Sequence, residues 1–172
     1  MKQVTLYSDG SARGNPGNGG YGALLLYKGA DGKNYEMRLS KGFRLTTNNR
    51  MEILGVIAAL EVLNQPCKVD VYTDSQYVCN AFNKGWIAKW QDCGWKKTKS
   101  TPIKNVDLWK RLLLAMAPHN VTFNWVRGHA GNNYNEECDR LATEAADSRS
   151  LEIDIEYEGL NQTSFNLDQS AS

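Results

Sequence analysis

Several short stretches of the chain alternate apolar and polar residues, a pattern typical of strands that bury one face. In residues 3–9, for example, Val4 and Leu6 alternate with polar neighbours. Asp31 and Gly32 form a hairpin turn signal between the second and third stretches, so we expect these two strands to be antiparallel neighbours. The pattern predicts strands at residues 3–9, 21–27, 34–43, 68–73 and 121–126.

Other stretches repeat their apolar residues at helical spacing. The clearest begins after Thr47, a good N-cap, and places Met51, Leu54 and Ala58 on one stripe before Pro66. We expect this helix to be buried over a wide face. Helices are predicted at residues 48–63, 75–82, 85–90, 106–117 and 134–146.

A hairpin followed by alternating strands and helices predicts the α/β class, with a mixed sheet covered by helices. The 172 residues, 41% of them hydrophobic, are enough for one core without disulfides. We divide the chain into one domain at residues 1–149 and an acidic extension at residues 150–172. Strict alternation at 151–158 predicts an edge strand in this extension, and the polar residues 161–172 predict disorder.

Charge is distributed unevenly, although the net charge is only +1. Residues 84–111 contain eight Lys and Arg against two Asp, whereas residues 150–172 contain five acidic residues and no basic one. One interpretation is a segment that faces a polyanion and another that repels it, and two solvated faces would explain the charges equally well.

Cysteine spacing and hydropathy exclude several classes of protein. The four cysteines lie far apart, without a CxxC pair or a zinc-like cluster, so we expect reduced thiols and a cytoplasmic protein. The first residues lack the apolar core of a signal peptide, and no apolar run approaches the length of a membrane span.

Gly17, Gly19 and Gly22 satisfy the pattern GxGxxG, but a dinucleotide-binding motif would continue into a helix, and here a strand pattern follows. We therefore discard that interpretation. The glycine-rich run at residues 10–20 is expected to form a tight loop that ends the first strand and lets a bulky ligand approach the sheet.

Four acidic residues occupy positions that suggest a site. Asp9 ends the first strand, and Asp74 ends the fourth. Glu52 lies in the first turns of the long helix, and Asp139 lies in the last helix. Each alone could be a cap or a dipole partner, but carboxylates about 4 Å apart repel by about 4 kcal/mol at an effective dielectric constant of 20. A converging set therefore needs cations, and oxygen ligands favour magnesium or manganese. Two such ions suit phosphodiester hydrolysis.

Five blocks of sequence carry a family resemblance: YSDGSARGNPGNGGYGA, TTNNRMEI, YTDSQYV, KNVDLWKRL and VRGHAGNNYNEECDRLA. In this order, over residues 3–146, they resemble ribonuclease H, type 1, of the bacterial kind. The resemblance implies a ribonuclease H-like fold, with a five-stranded mixed sheet whose first three strands are antiparallel, flanked by helices. It also implies magnesium-dependent cleavage of the RNA strand in RNA/DNA hybrids, leaving 5′-phosphate and 3′-hydroxyl ends.

The resemblance also assigns site residues. It implies that Asp9, Glu52, Asp74 and Asp139 are catalytic carboxylates that bind two magnesium ions, with manganese as a possible substitute. His129, in a glycine-flanked loop, matches the family's histidine, whose ordinary pKa of about 6.5 suits proton transfer or product departure.

Substrate contacts are implied in the same way. The resemblance places Asn15, Asn48, Asn49 and Gln76 in the minor groove of the hybrid, and Thr47 and Asn105 in a pocket for a DNA phosphate. A basic protrusion at about residues 84–105 is the expected handle on the DNA strand. Its residues, together with a channel-lining tryptophan from the following helix, are Trp86, Lys89, Lys96, Lys97, Lys99 and Trp109.

Further expectations concern two other tryptophans and a departure from the family pattern. Core packing is the expected role of Trp90 and Trp125. The family often has an arginine two residues before the pocket threonine, and here that position is Leu45. Our hypothesis is that Arg44 or a nearby lysine replaces it.

The sequence is compatible with three functions. The leading one is a monomeric, hybrid-specific endoribonuclease. A DNA-processing nuclease on the same fold is the first alternative, and only it should still cut a hybrid whose scissile region is 2′-deoxy. The second alternative is a module that binds hybrids without cleaving them, which turnover would exclude. The acidic tail is expected to pack as a strand or to compete weakly with nucleic acid for the basic face.

Overall fold

A computed structural model of the protein describes residues 1–128 and 133–159. Its centre is a mixed sheet that has six strands within the described residues, in the spatial order five, four, one, two, three, six. These are β1 (Lys2–Arg13), β2 (Gly17–Lys28), β3 (Asn34–Thr46), β4 (Cys67–Thr73), β5 (Asn120–Trp125) and β6 (Leu151–Glu152). The helices are α1 (Asn48–Glu61), α2 (Gln76–Asn83), α3 (Trp86–Asp92), α4 (Val106–Met116), α5 (Asn133–Ala146) and α6 (Ile155–Glu158).

The mixed topology is the predicted one. Strands β1, β2 and β3 are antiparallel neighbours, and β4 pairs in parallel with both β1 and β5. The sheet has six strands where the sequence predicted five, because the short β6 pairs in parallel with the outer edge of β3. This α/β architecture therefore differs from the prediction by one two-residue strand.

The glycine-rich run is not the predicted loop. Residues 10–13 continue β1 and pair with residues 18–21 of β2, so the turn is confined to residues 14–16. The glycines are needed for close packing: a Cβ atom on Gly22 would lie 2.4 Å from the carbonyl oxygen of Cys138 in α5. Glycine there lets a helix lie directly on the sheet.

Helices α1 and α5 cover opposite faces of the sheet. Along β2, Gly19 and Tyr21 approach α1, whereas Gly20 and Gly22 approach α5, as the two-residue period of a strand requires. The core on the α1 side includes Leu6, Met51, Ile53, Ile57 and Leu60, all at most 1% exposed. The predicted N-cap of α1 is confirmed, because Thr47 Oγ1 accepts a hydrogen bond from the amide of Arg50.

The prediction of a strand over residues 151–158 is wrong beyond Glu152. Asp154 turns inward, accepts hydrogen bonds from Thr46 and Arg50, and caps α6 through the amide of Tyr157. Burial of this carboxylate therefore overrides the alternating pattern. The first part of the extension packs on the main domain, and the disorder predicted for 161–172 concerns residues outside the described ones.

All four cysteines lie in the described part of the chain, and all are free thiols, as predicted. None of the helices described is both long enough and apolar enough to cross a membrane.

Candidate active site

The separation of two parallel strands creates the site. Strands β1 and β4 are paired from Lys2 and Cys67 up to Tyr7 and Tyr72, and then they diverge. Asp9 and Asp74 follow directly after this point, although β1 itself continues along β2. Helix α1 packs on β1 and contributes Glu52. One carboxylate oxygen from each of these three residues lies within 4.8 Å of the others.

Asp139 lies close to this group of three carboxylates. It stands on α5, which packs on the opposite face of the sheet from α1, and lines the same cavity as the other three acids. A hydrogen bond links its side chain to Asp9. The structure thus brings all four predicted acids to one cavity, three of them in a tight cluster.

The environment of the cluster disfavours negative charge. Burial, followed by the charge of Asp74 and the hydrogen bond with Asp139, raises the pKa of Asp9 from 3.8 to about 8. Burial is also the main reason that the pKa of Glu52 lies well above its ordinary value, with Asp9 and Asp74 adding to it. The buried Glu52 Oε2 has no hydrogen-bond partner among the described residues. A divalent cation fits this set, since it would satisfy that oxygen and neutralise the repulsion.

Exposed amide side chains surround the carboxylates. Asn48 and Asn49 begin α1, Gln76 begins α2, and all three line the carboxylate cavity. Ser75 fixes the start of α2 by accepting a hydrogen bond from Val78. Asn15 Oδ1 accepts a hydrogen bond of 3.1 Å from the amide of Asn48, which ties the β1–β2 turn to α1. The four predicted amides therefore lie on one surface.

The residues predicted to form a phosphate pocket are joined by a buried arginine. Arg50 is 4% exposed, and its Nη1 donates to Oδ1 of Asn105 at 3.3 Å, while its amide donates to Thr47. Arg44, one of the cations that we considered for this pocket, instead forms an ion pair with Glu158 at 2.8 Å. Arg50 is therefore the guanidinium group that contacts the pocket.

The basic protrusion is formed by α3 and the loop that follows it. Trp86 and Trp90 lie on one face of α3, with ring centroids 6.1 Å apart, and pack against the core, which confirms the core role of Trp90. The four lysines predicted to bind the DNA strand are all exposed: Lys89, Lys96, Lys97 and Lys99.

Two tryptophan predictions are wrong. Trp109 is completely buried against Tyr77, Phe82 and Trp90, so it cannot line a DNA channel. Its helix, α4, turns an apolar face inward, and the tryptophan lies on that face. Trp125, predicted to be a core residue, is 48% exposed because it ends β5 beside the point where Asp74 leaves the sheet.

Two residues beside Asp74 were missed in the sequence. The Nε1 of Trp125 donates a hydrogen bond of 3.0 Å to the carbonyl oxygen of Asp74. Gly128 lies so close that an added Cβ atom would be 2.7 Å from Asp74 Oδ2. No spacing rule connects these residues to Asp74, since the contact depends on the pairing of β4 with β5. His129 lies outside the described residues.

Arg50 was also missed, although the sequence contains a signal for it. Four- and seven-residue spacings place it on the same helical stripe as the apolar Leu54 and Ile57, which predicts a buried charge that needs partners.

Comparisons with known proteins agree with this architecture. Ribonuclease H of Desulforamulus reducens is 53% identical over 155 residues, which cover 90% of this chain and 94% of that protein. Ribonuclease H of Lachnoclostridium phytofermentans is 54% identical over 153 residues, covering 88% and 97%. The crystal structure of LC9-RNase H1, a type 1 RNase H with the type 2 active-site motif, has a TM-score of 0.78 at 29% identity, covering 96% of this chain and 84% of that one.

The family model for RNase H matches residues 1–147. This match includes β1 to β5, the four carboxylates and the amide surface around them. The chain therefore belongs to the RNase H family.

Proposed function

We propose that the protein is a magnesium-dependent endoribonuclease that hydrolyses the RNA strand of RNA/DNA hybrids and leaves 5′-phosphate and 3′-hydroxyl ends. The observation that carries this proposal is the placement of three carboxylates within 4.8 Å of one another in a cavity lined by exposed amides. Relatives named Ribonuclease H, at more than 50% identity over most of the chain, support it.

The carboxylates supply the ligands for catalysis. Asp9, Glu52, Asp74 and Asp139 hold two divalent cations, and the all-oxygen ligand set favours magnesium, with manganese as a substitute. When bound, the two ions supply an activated water and stabilise the leaving oxygen. His129, which matches the family's histidine, moves a proton as the product leaves.

The amides supply the choice of substrate. Amide side chains both donate and accept hydrogen bonds, so Asn15, Asn48, Asn49 and Gln76 can contact 2′-hydroxyls and base edges across a wide, shallow minor groove. Because most such contacts are shared by all four bases, we expect little sequence preference. The exposed lysines of the protrusion hold the phosphates of the DNA strand.

The cellular setting follows from the same features. We place the enzyme in the cytoplasm, where its four free thiols would stay reduced, and expect it to act as a monomer at hybrids.

The first experiment compares a labelled RNA/DNA hybrid with the matching RNA duplex and DNA duplex, in magnesium or in chelator. A fourth substrate is a hybrid whose RNA strand carries a 2′-deoxy scissile region. Wild type, Asp9→Asn and Asp147→Asn are tested, the last being an exposed acid paired with Arg13. We expect magnesium-dependent cutting of the unmodified hybrid alone, a loss of about 10²–10³-fold in Asp9→Asn, and wild-type rates in Asp147→Asn.

Other results would change the assignment. Cutting within the 2′-deoxy region would favour a DNA-processing nuclease. Tight binding of the hybrid without any cutting, in magnesium and in manganese, would favour a binding module.

A further inference from the structure

The acidic extension contributes one buried carboxylate to the domain. Strand β6 places residues 151 and 152 beside β3, and the chain then turns so that Asp154 points inward and is 8% exposed. The side chain of Asp154 accepts a hydrogen bond of 2.8 Å from the hydroxyl of Thr46. It also forms an ion pair of 2.7 Å with the Nε of Arg50.

Arg50 is thereby held between two carboxylates. Its Nε and Nη2 donate to Asp154, and its Nη1 and Nη2 donate to Asp107 at 2.9 and 2.7 Å. Both contacts use the planar fork of the guanidinium, which fixes its orientation as well as its position.

The fixed guanidinium orients the Asn105 amide. A guanidinium can only donate hydrogen bonds, so it must face the oxygen of this amide, Oδ1. The amide nitrogen is thus turned the other way, and it donates one hydrogen to the hydroxyl of Tyr77 at 3.2 Å. The second hydrogen of the Asn105 amide nitrogen also points away from Arg50 and can be donated to a ligand. Thr47 accepts from the amide of Arg50, and its own hydroxyl hydrogen can also be donated.

We infer that Asp154 is a positioning residue for a DNA-strand phosphate bound between Thr47 and Asn105. Through Arg50, it makes Asn105 present its remaining N–H donor, and not its carbonyl oxygen, to the anion. This inference rests on the proposed function, since it assumes a hybrid substrate. It gives the acidic extension a part in substrate binding even though its charge opposes nucleic acid.

Electrostatic attraction of the phosphate by Arg50 is not an alternative explanation. Arg50, Asp107 and Asp154 together carry one net negative charge, which repels a phosphate. Neutralising Asp154 would therefore tighten binding if charge dominated, and would weaken binding if the orientation of Asn105 dominated. The two explanations predict opposite signs.

The test measures KM and kcat with a series of hybrids in which one DNA-strand phosphate at a time is a neutral methylphosphonate. For the wild type, we expect one linkage whose replacement raises KM about 10-fold. Asp154→Asn should raise KM for the unmodified hybrid about 5-fold, keep kcat within about twofold, and lose the response to that linkage. The matched control is Glu156→Gln, which removes an exposed charge from the same segment and should behave as wild type.

A second variant covers the case in which Asp154→Asn does not fold. Thr46→Val removes one hydrogen bond to Asp154 and keeps the ion pair, so it should give a smaller change of the same kind. The inference is overturned if the variants melt at lower temperature but keep the wild-type KM and methylphosphonate response. Tighter binding by Asp154→Asn, or a wild type without a sensitive linkage, would also overturn it. A wild type that cuts no hybrid would instead refute the proposed function.

Discussion

The indole Nε1 of Trp125 donates a hydrogen bond of 3.0 Å to the main-chain carbonyl oxygen of Asp74. The amide of Val126 likewise donates to Thr73, so the end of β5 fixes the chain at the point where Asp74 enters the cluster. An exposed tryptophan is therefore held beside the carboxylates by its one polar atom.

Replacing Trp125 with phenylalanine keeps a ring and removes only that hydrogen bond. We expect the magnesium concentration for half-maximal activity to rise about 10-fold, because Asp74 without this hydrogen bond is held less rigidly and binds the cation less well. Activity titrations with magnesium measure this change. Tyr35→Phe, which also loses a side-chain hydrogen bond but lies at a distant hairpin, is the control. Equal magnesium dependence in Trp125→Phe and wild type would contradict the prediction.

Gly128→Ala should impair catalysis without unfolding the protein. The new methyl group would lie 2.7 Å from Asp74 Oδ2, so either the carboxylate or the segment at Gly128 must move. A displacement of about 1 Å is expected to lower kcat about 10²-fold. Gly55→Ala is the matched control, because its Cβ would be 3.4 Å from that of Tyr21. Steady-state kinetics and thermal melting of both variants test this prediction. A normal kcat in Gly128→Ala would contradict it and show that the site tolerates the methyl group.

Without divalent cations, the protein should lose stability as the pH rises from about 4 to about 8. The pKa of Asp9 is 3.8 ordinarily and about 8 in the folded protein, so the folded state retains a proton that the unfolded state loses in this range. Unfolding then releases a proton, and the free energy of unfolding falls with rising pH.

Asp9→Asn removes the part of this dependence that Asp9 contributes, while Glu52, whose pKa is also raised by burial, keeps its own. At pH 8 in chelator the variant should be more stable than the wild type by about 2 kcal/mol. Denaturant unfolding at pH 4 and pH 8 measures the difference. The control is Asp147→Asn, which should lower the free energy of unfolding at pH 8. The Arg13 guanidinium lowers the pKa of Asp147 and favours its charged form, which the substitution removes. A destabilised Asp9→Asn at pH 8 in chelator would refute the raised pKa of Asp9 in the folded protein.

Hybrid binding should depend steeply on salt. If about six phosphates are neutralised by the protrusion, the slope of log affinity against log salt is about −5. A triple alanine variant of Lys96, Lys97 and Lys99 should reduce its magnitude by about 2.5. Fluorescence anisotropy with a catalytically inactive Asp9→Asn background gives the slopes. Triple alanine substitution of Lys28, Lys33 and Lys68, which are exposed elsewhere, is the control. A slope near zero for the parent protein would exclude binding of the DNA-strand phosphates by the protrusion.

Arg44→Ala should leave hybrid affinity within about twofold of wild type, because Arg44 is half exposed and already paired with Glu158. The same anisotropy measurement tests this. A large loss of affinity would restore Arg44 to the phosphate pocket in place of the role assigned to Arg50.

The sequence predicted those parts of the molecule that depend on local periodicity. The cap at Thr47, the buried stripe of α1 and the meeting of Asp9 with Asp74 at diverging strands all follow from spacing and from strand order. Contacts between distant segments could not be predicted in this way. Burial of Trp109, exposure of Trp125 and the inward turn of Asp154 depend on which surface each side chain meets after folding. Asp154 is the clearest case. Its segment has the alternating pattern of a strand, but Asp154 pairs with the buried Arg50 and becomes the N-cap of α6.

The short β6 has a consequence for solubility. It pairs only with Gly42 and Phe43, so in the described residues the outer edge of β3 from Asn34 to Lys41 has no neighbouring strand. An open edge invites pairing with another chain, and charged side chains discourage it. Glu36, Arg38 and Lys41 lie along this edge, and Arg38 is further held by Glu137. Substituting these three charges with threonine is therefore expected to promote edge-to-edge aggregation of folded molecules.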